Sequence, residues 1–343
     1  MTTGMTPGTP TLLEGRYRTA LRLLPAYYRR EREEEMVEVY LWDTDRDTQD
    51  QSRPTFGEVA SIAALAVRTR LGTAGAPRRY ALLGSGVRLF ALFAVLLQAA
   101  AAVVDRVLEL TWVSTGGADR WDMFGSGFTG QGAVVATAAV AAWLLPLLWT
   151  VGFFALLRGR RRLARISVLL AALPTLWPFL APLVTGFPPP EPAYATAAAA
   201  FAWLPALALC AAHHRDAPAA VLPAGTAGLA YLGSCVVMGA SVVLLPAAAD
   251  SVWAPTTCFV GGALGWLGWR IRGARPAGGE GALALAVLGL LVLLLRLAAV
   301  YTWLDVSVPL PAVLVVGFAV QAAALLLLTA ALAVVGGRDL AAR

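Results

Sequence analysis

Few side chains in this sequence stand where they could do chemistry, and Arg296 is the most conspicuous of them. It closes the run Leu291-Val292-Leu293-Leu294-Leu295 and precedes Trp303 by seven residues, about 10 Å along a helix axis. A guanidinium so deep in an apolar segment has two readings. It contacts a substrate or ion, or forms a paired switch with Asp305, Asp250 or Glu109; alternatively it snorkels its head group to the interface. Asp105 and Glu109, four apart, share a helix face that could hold a cation, but Arg106 beside them and an interfacial position favour a solvated face. His213 and His214 are adjacent and point in different directions on a helix, so they cannot make an i,i+4 metal pair; with Arg215 and Asp216 they read as interfacial polar residues. Gly125-Ser126-Gly127 has the glycine-flanked serine of intramembrane proteases. Both histidines are expected on the opposite membrane side, which leaves that serine without a base.

The remaining candidates are weaker still. Cys210, Cys235 and Cys258 have no metal-ligand spacing and are expected at different depths, so they read as small buried hydrophobes. All 27 basic residues are arginine. Without lysine the chain can be neither a P-loop ATPase nor a pyridoxal enzyme. No catalytic constellation, cofactor site or metal site emerges, and the expectation is a protein that is not an enzyme.

The elements that carry these residues are membrane helices. The 343 residues are 58% hydrophobic and 14% charged, with a mean hydropathy of +0.68, which no soluble domain needs. Eight apolar segments follow residue 87, at about 88–108, 132–157, 165–184, 194–212, 221–246, 252–269, 281–303 and 309–335. Each approaches the ~20 residues that cross a bilayer. Arg158, Arg160, Arg161, Arg162 and Arg165 crowd into eight residues between two of them, and short arginine-rich loops stay in the cytoplasm. Threading the eight segments from an inside N-terminus puts twelve arginines and three acids on the inner side from residue 88 onward. The outer side then carries seven acids and two arginines. Pro146, Pro174, Pro178, Pro205 and Pro246 interrupt these helices, so neighbours must satisfy the freed carbonyls. Gly261-x-x-x-Gly265 followed by Gly268 offers a smooth face for close helix packing.

Only residues 11–72 have the composition of a soluble protein. Thr11-Leu12-Leu13-Glu14 and Thr55-Phe56-Gly57-Glu58 are capping-box patterns. Three amphipathic helices are expected: one with Leu13, Tyr17, Leu21 and Leu24 as its face, one over about Ala26–Arg46 packing through Met36, Val37, Tyr40 and Leu41, and one with Val59, Ile62, Ala63, Ala66 and Val67. Arginines and acids nearly balance there, so direct nucleic-acid binding is not expected. Residues 1–10 have no apolar core of a signal peptide and are expected to be disordered. The fold class is thus all-α: a polytopic bundle of about eight transmembrane helices (88–335) with a three-helix cytoplasmic domain (11–72), a linker (73–87) and a cytoplasmic tail (336–343).

Leu24-Pro25-Ala26-Tyr27-Tyr28-Arg29-Arg30-Glu31-Arg32-Glu33-Glu34-Glu35-Met36 resembles the helical prefix that precedes the first membrane helix of many bacterial membrane proteins. That pattern reads Leu-Pro, two residues, an aromatic, Arg, then Gly-Glu-Glu-Met. Tyr28, Arg29, Glu34, Glu35 and Met36 match it, and Glu33 replaces the glycine. Such prefixes occur on permeases of the macrolide-exporter type and resemble the helical signalling domains of membrane proteins that accompany PadR-type regulators. The resemblance spans the first ~70 residues, and no outer loop here is long enough for the exporters' external domain. It implies a bacterial inner-membrane protein of regulatory or accessory type, whose prefix docks a cytosolic regulatory protein through Arg29, Glu34, Glu35 and Met36. The alternative is a permease subunit working with a separate ATPase or an ion gradient. The lipid bilayer is the other expected partner.

Overall fold

The computed structural model describes residues 11–42, 53–72, 76–129, 132–186, 191–213, 224–273, 279–304 and 311–341. Residues 1–10, His214, Arg215, Asp216 and Asp305 lie outside them. The described chain is helical without strands and divides into two compact units, an N-terminal one through Ser85 and a second from Gly86 onward.

The N-terminal unit is a bundle of α1 (Leu12–Leu21), α2 (Ala26–Trp42) and α3 (Phe56–Arg70). The two capping patterns behave differently. At α3 both halves form: Glu58 N donates to Thr55 Oγ1 and Thr55 N donates to Glu58 Oε2. At α1 only the threonine half forms, because the Glu14 carboxylate turns instead to Arg18 Nε, 3.0 Å away. The apolar stripes meet in one core of Tyr17, Leu21, Leu24, Val37, Ile62 and Ala66. Tyr17 and Tyr40 stack with ring centroids 3.9 Å apart. Val67, expected in the core, is exposed. Ile62, Ala66 and Thr69 take the buried stripe, and Tyr27 Oη ties α2 to the Thr69 carbonyl at 2.8 Å.

Seven described segments are long and apolar enough to cross a membrane: Arg78–Thr115, Ala133–Leu157, Arg161–Thr185, Pro192–Ala212, Gly225–Leu244, Gly279–Trp303 and Ala312–Ala341. The first begins earlier than the apolar run. The expected linker 73–87 is helical from Arg78, continuous with α4 (Arg78–Thr115), because no proline follows Arg78 there and isolated glycines such as Gly84 and Gly86 are tolerated inside a long helix. Likewise the expected tail from 336 continues α14 (Ala312–Ala341). The stretch 109–131 is mostly helical too, as the end of α4 and a short α5 (Ala118–Thr129).

Prolines shape the next two crossings. The second is α6 (Ala133–Leu144) and α7 (Leu148–Leu157), joined by a 3₁₀ turn at Pro146. The third is α8 (Arg161–Ala172) and α9 (Trp177–Thr185), joined by one at Pro174. Between α7 and α8 the arginine loop is a tight turn. Gly159 takes φ +70°, Gly159 N donates to Leu156 O and Arg160 N to Ala155 O, the paired bonds of a Schellman motif. In α10 (Pro192–Ala212) Pro205 leaves the Phe201 carbonyl without its helical donor, and Gln98 of α4 supplies one at 2.8 Å.

The segment expected to cross at 252–269 forms α12 (Trp253–Ile271), but it is not among those seven. Threonines, tryptophans and four glycines dilute its hydropathy. At 19 residues it is ~28 Å long, close to a ~30 Å hydrocarbon core. It runs antiparallel to α13 (Gly279–Leu304): Trp266 lies at Gly281 and Phe259 at Gly289. In turn α13 runs antiparallel to α14, with Gly279 at Asp339, Gly336 at Leu283 and Trp303 beside Phe318. Shorter than α13, α12 still packs along a helix that is long and apolar enough to cross. The glycine face is not where it packs. Gly261 and Gly265 are exposed and meet nothing, because α12 turns Thr256, Phe259 and Ala263 inward.

Two apolar cores share α4. Phe90, Ala94, Leu97 and Val104 face the cluster built with α10 and α12 to α14. Ala91, Leu92, Val95 and Ala99 face the cluster built with α7, α8 and α10. The most enclosed crossings are accordingly α4 and α13.

Candidate functional site

The helix α13 is apolar by composition, so whatever side chain it presents near its C-terminal end must find partners on α12 and α14. At Arg296 it finds one. The side chain is fully buried, and Nη1 donates to both carboxylate oxygens of Asp250, at 2.7 and 2.6 Å. Asp250 precedes α12, its own side chain is 6% exposed, and Oδ1 also accepts from Val252 N. Phe318 of α14 lies under the guanidinium, 4.3 Å from the ring centroid, a cation–π contact worth more when desolvated. Arg296 therefore ends on a carboxylate rather than in solvent. Of the three acids considered for it, Asp305 is outside the described residues, while Glu109 is held by Arg106 and by Trp143 Nε1.

The pair sits among other buried polar groups. Gln321 of α14 donates to Thr257 Oγ1 at 2.9 Å, and Trp253 Nε1 donates to Ser241 O of α11 (Ala224–Leu244). Arg296 Nε and Nη2, Gln321 Oε1 and Thr256 Oγ1 are buried without a hydrogen-bond partner. An ion pair removed from water is a poor source of net stability, but stripping one partner from it is costly. The arrangement can lock the α12–α13–α14 end, or present guanidinium donors to an anion or water.

The other candidates resolve more simply. Ser126 Oγ donates to Met123 O within its own helix. Cys210, Cys235 and Cys258 are free thiols. Among the described residues no group of histidines, cysteines and acids could hold a metal. His213 is buried at the C-terminal end of α10, where its carbonyl accepts from Arg165 Nη2 of α8.

In the N-terminal bundle the four docking candidates separate. Glu34 accepts two 2.9 Å hydrogen bonds from Arg18 and so ties α2 to α1; that contact holds its carboxyl below the ordinary range. Arg29 is half-buried with Nε enclosed. Glu35 and Met36, by contrast, line a groove of about 500 Å³ with Tyr17, Tyr28, Arg32, Val39, Tyr40 and Glu58. Tyr40 donates to Glu58 at 3.1 Å, and burial with that carboxylate pushes its phenol up to about 12. Sequence reasoning found Arg296, Glu35 and Met36. It missed Thr256, Thr257, Trp253 and Phe318 around the ion pair, and the tyrosine walls of the groove, because their common signal is contact across long sequence separation.

Fold and site together define a multi-pass helical membrane protein. Compared with protein-family models, curated proteins and solved structures, the chain matches none.

Proposed function

We propose that this is a bacterial inner-membrane protein of regulatory or accessory type, with both termini in the cytoplasm, whose N-terminal bundle docks a cytosolic protein partner. The observation that carries the reading is the groove at Glu35 and Met36. The bundle completes a core of its own from all three helices, yet it leaves Tyr28, Met36 and Val39 around a space of about 500 Å³, edged by Arg32, Glu35 and Glu58. Aromatic and methionine side chains beside a few charges are the composition of protein-recognition surfaces. Between the helices of the membrane unit, two cavities offer few polar groups for transport: one of about 560 Å³ between α10 and α13 has Thr196 as its hydroxyl among alanines and leucines, and one of about 190 Å³ between α4, α11, α12 and α13 has Ser234 among apolar side chains such as Leu97, Phe259 and Leu285. The sided distribution of arginines supports the orientation.

One observation favours the permease alternative: the two unpartnered nitrogens of the buried Arg296. A photo-crosslinking residue at Val39 of the full-length protein in its membrane separates the two. The docking reading expects one discrete cytosolic adduct that Met36→Asp removes. Absence of any groove-dependent adduct, together with solute movement in liposomes that Asp250→Asn abolishes, would replace docking with transport.

A further inference from the structure

Towards the C-terminal end of α4, the helices α4, α5 and α6 enclose a cleft of about 450 Å³. Arg106, Glu109 and Trp112 line it from α4, Phe124 and Phe128 from α5, and Trp143 from α6. On each helix the lining residues lie three or four apart, hence on one face. Phe124 joins the aromatic walls, edge-on to Phe128 with centroids 5.0 Å apart and to Trp143 at 6.2 Å. The charges in the cleft are unequally committed. Arg106 Nη1 and Trp143 Nε1 both donate to Glu109 Oε2, and the Arg106 guanidinium lies over the Trp143 ring, 5.7 Å from its centroid. Among the described residues nothing donates to Glu109 Oε1, on a side chain 36% exposed. Arg120 of α5 is engaged elsewhere: it stacks on Trp112 at 4.6 Å and donates to the Trp112 carbonyl. Two of the lining aromatic rings thus already take a guanidinium on their faces, the attraction of a ring quadrupole for positive charge.

The balance of charge favours one sign of ligand. Between Arg88 and Arg158 the chain carries four acids, Asp105, Glu109, Asp119 and Asp122, against Arg106 and Arg120, so an anion beside Arg106 would meet an excess of its own sign. Asp105 is not part of the lining, and the carboxylate pair that its spacing to Glu109 offered does not form a metal site. One open carboxylate oxygen among aromatic rings instead suits a cation that needs no oxygen cage. We propose that this cleft binds an organic ammonium ion, with the charge at Glu109 Oε1 and the apolar substituents against Trp112, Phe124 and Phe128. Its volume is that of a small-molecule site, lined mostly by apolar side chains with a few polar groups to fix orientation. The site lies in the membrane unit and is independent of the docking groove.

The test is equilibrium dialysis of the full-length protein in a neutral detergent against benzyltrimethylammonium, benzyl alcohol or benzenesulfonate, with protein-free micelles as the blank. Saturable binding is expected for the cation alone. Glu109→Gln keeps an acceptor oxygen for Arg106 and Trp143 but removes the charge, and should weaken binding of the cation about tenfold. Phe124→Leu should weaken it about threefold, and Asp105→Asn should leave it unchanged. Gly127 also lines the cleft, and a Cβ there meets nothing within 4 Å. Gly127→Leu therefore fills the space with a better helix former and should abolish binding, which keeps the test decisive even if Glu109→Gln fails to fold. Phosphatidylethanolamine that co-purifies and is displaced by the probe would assign the ammonium to a lipid headgroup; binding without a displaced lipid would assign it to a free solute. The proposal is overturned if no cation binding saturates, if benzyl alcohol or benzenesulfonate binds as tightly, or if Gly127→Leu binds like wild type. It is equally overturned if Asp105→Asn weakens binding as much as Glu109→Gln, since loss would then track overall acidity.

Discussion

Two ion pairs of nearly equal bond length sit in opposite surroundings. Arg18 meets Glu34 at 2.9 Å with side chains 34% and 81% exposed; Arg296 meets Asp250 at 2.6 Å with side chains 0% and 6% exposed. The geometry says little about their weight, and the solvent says nearly all of it. Water competes for the first pair and screens it, so its contribution is small. At the second pair nothing replaces a lost partner, so each charge holds the other in place.

The sharpest way to break this comparison is to strand one buried charge. Asp250→Ala leaves the guanidinium unpaired and is expected to cost about 3–5 kcal/mol. A thiol-reactive dye in a thermal ramp can follow it, because Cys210, Cys235 and Cys258 all lie in the membrane unit. Loss of only a few tenths would mean that the site is wet and the pair replaceable. Arg296→Ala strands Asp250 in the same way, and Arg296→Lys should lose less than it, as a point charge reaches Asp250 without matching the guanidinium's stacking on Phe318. The double change Arg296→Met with Asp250→Leu sharpens the point. It removes both charges, so it is expected to be far milder than either single loss, and a double variant as unstable as Asp250→Ala would show that the pair itself stabilises the fold.

Smaller effects are expected in the N-terminal bundle. Thr55→Ala removes half of a complete capping box and should cost ~1 kcal/mol, read by circular dichroism of a fragment covering residues 1–75. Thr11→Ala should cost less, since Glu14 already serves Arg18. Glu34→Gln should cost ~0–1 kcal/mol and lose its effect in high salt. Because Arg18 lowers the Glu34 pKa, that contribution is present above the ordinary carboxylate value. It disappears as pH falls through the lowered folded value, so wild type and Glu34→Gln should converge in acid. A salt-independent loss of several kcal/mol would put Glu34 in the same class as Asp250.

Local signals were legible without coordinates. Apolar run length marked the crossings because hydrocarbon thickness sets a residue count, and the faces Leu13–Tyr17–Leu21 and Ile62–Ala66 followed from helical period. Arg296 stood out because a charge in such a run demands an explanation. Which acid answers it did not follow from spacing. Asp250 is 46 residues away, and only the antiparallel docking of α12 on α13 brings it there in preference to Glu109. The same holds for the groove. Glu35 and Met36 were visible on α2, but their separation from Glu34 depends on Arg18 reaching across from α1. The α12 glycine stripe promised a packing face, yet Phe259 and Ala263, on the other side, bury more apolar surface and turn it outward. The sequence by itself determined where the chain is helical and apolar, since both are set by neighbours within a turn or two. Tertiary structure alone decided which charges are paired and which faces stay open, because those outcomes depend on helices far apart in the chain.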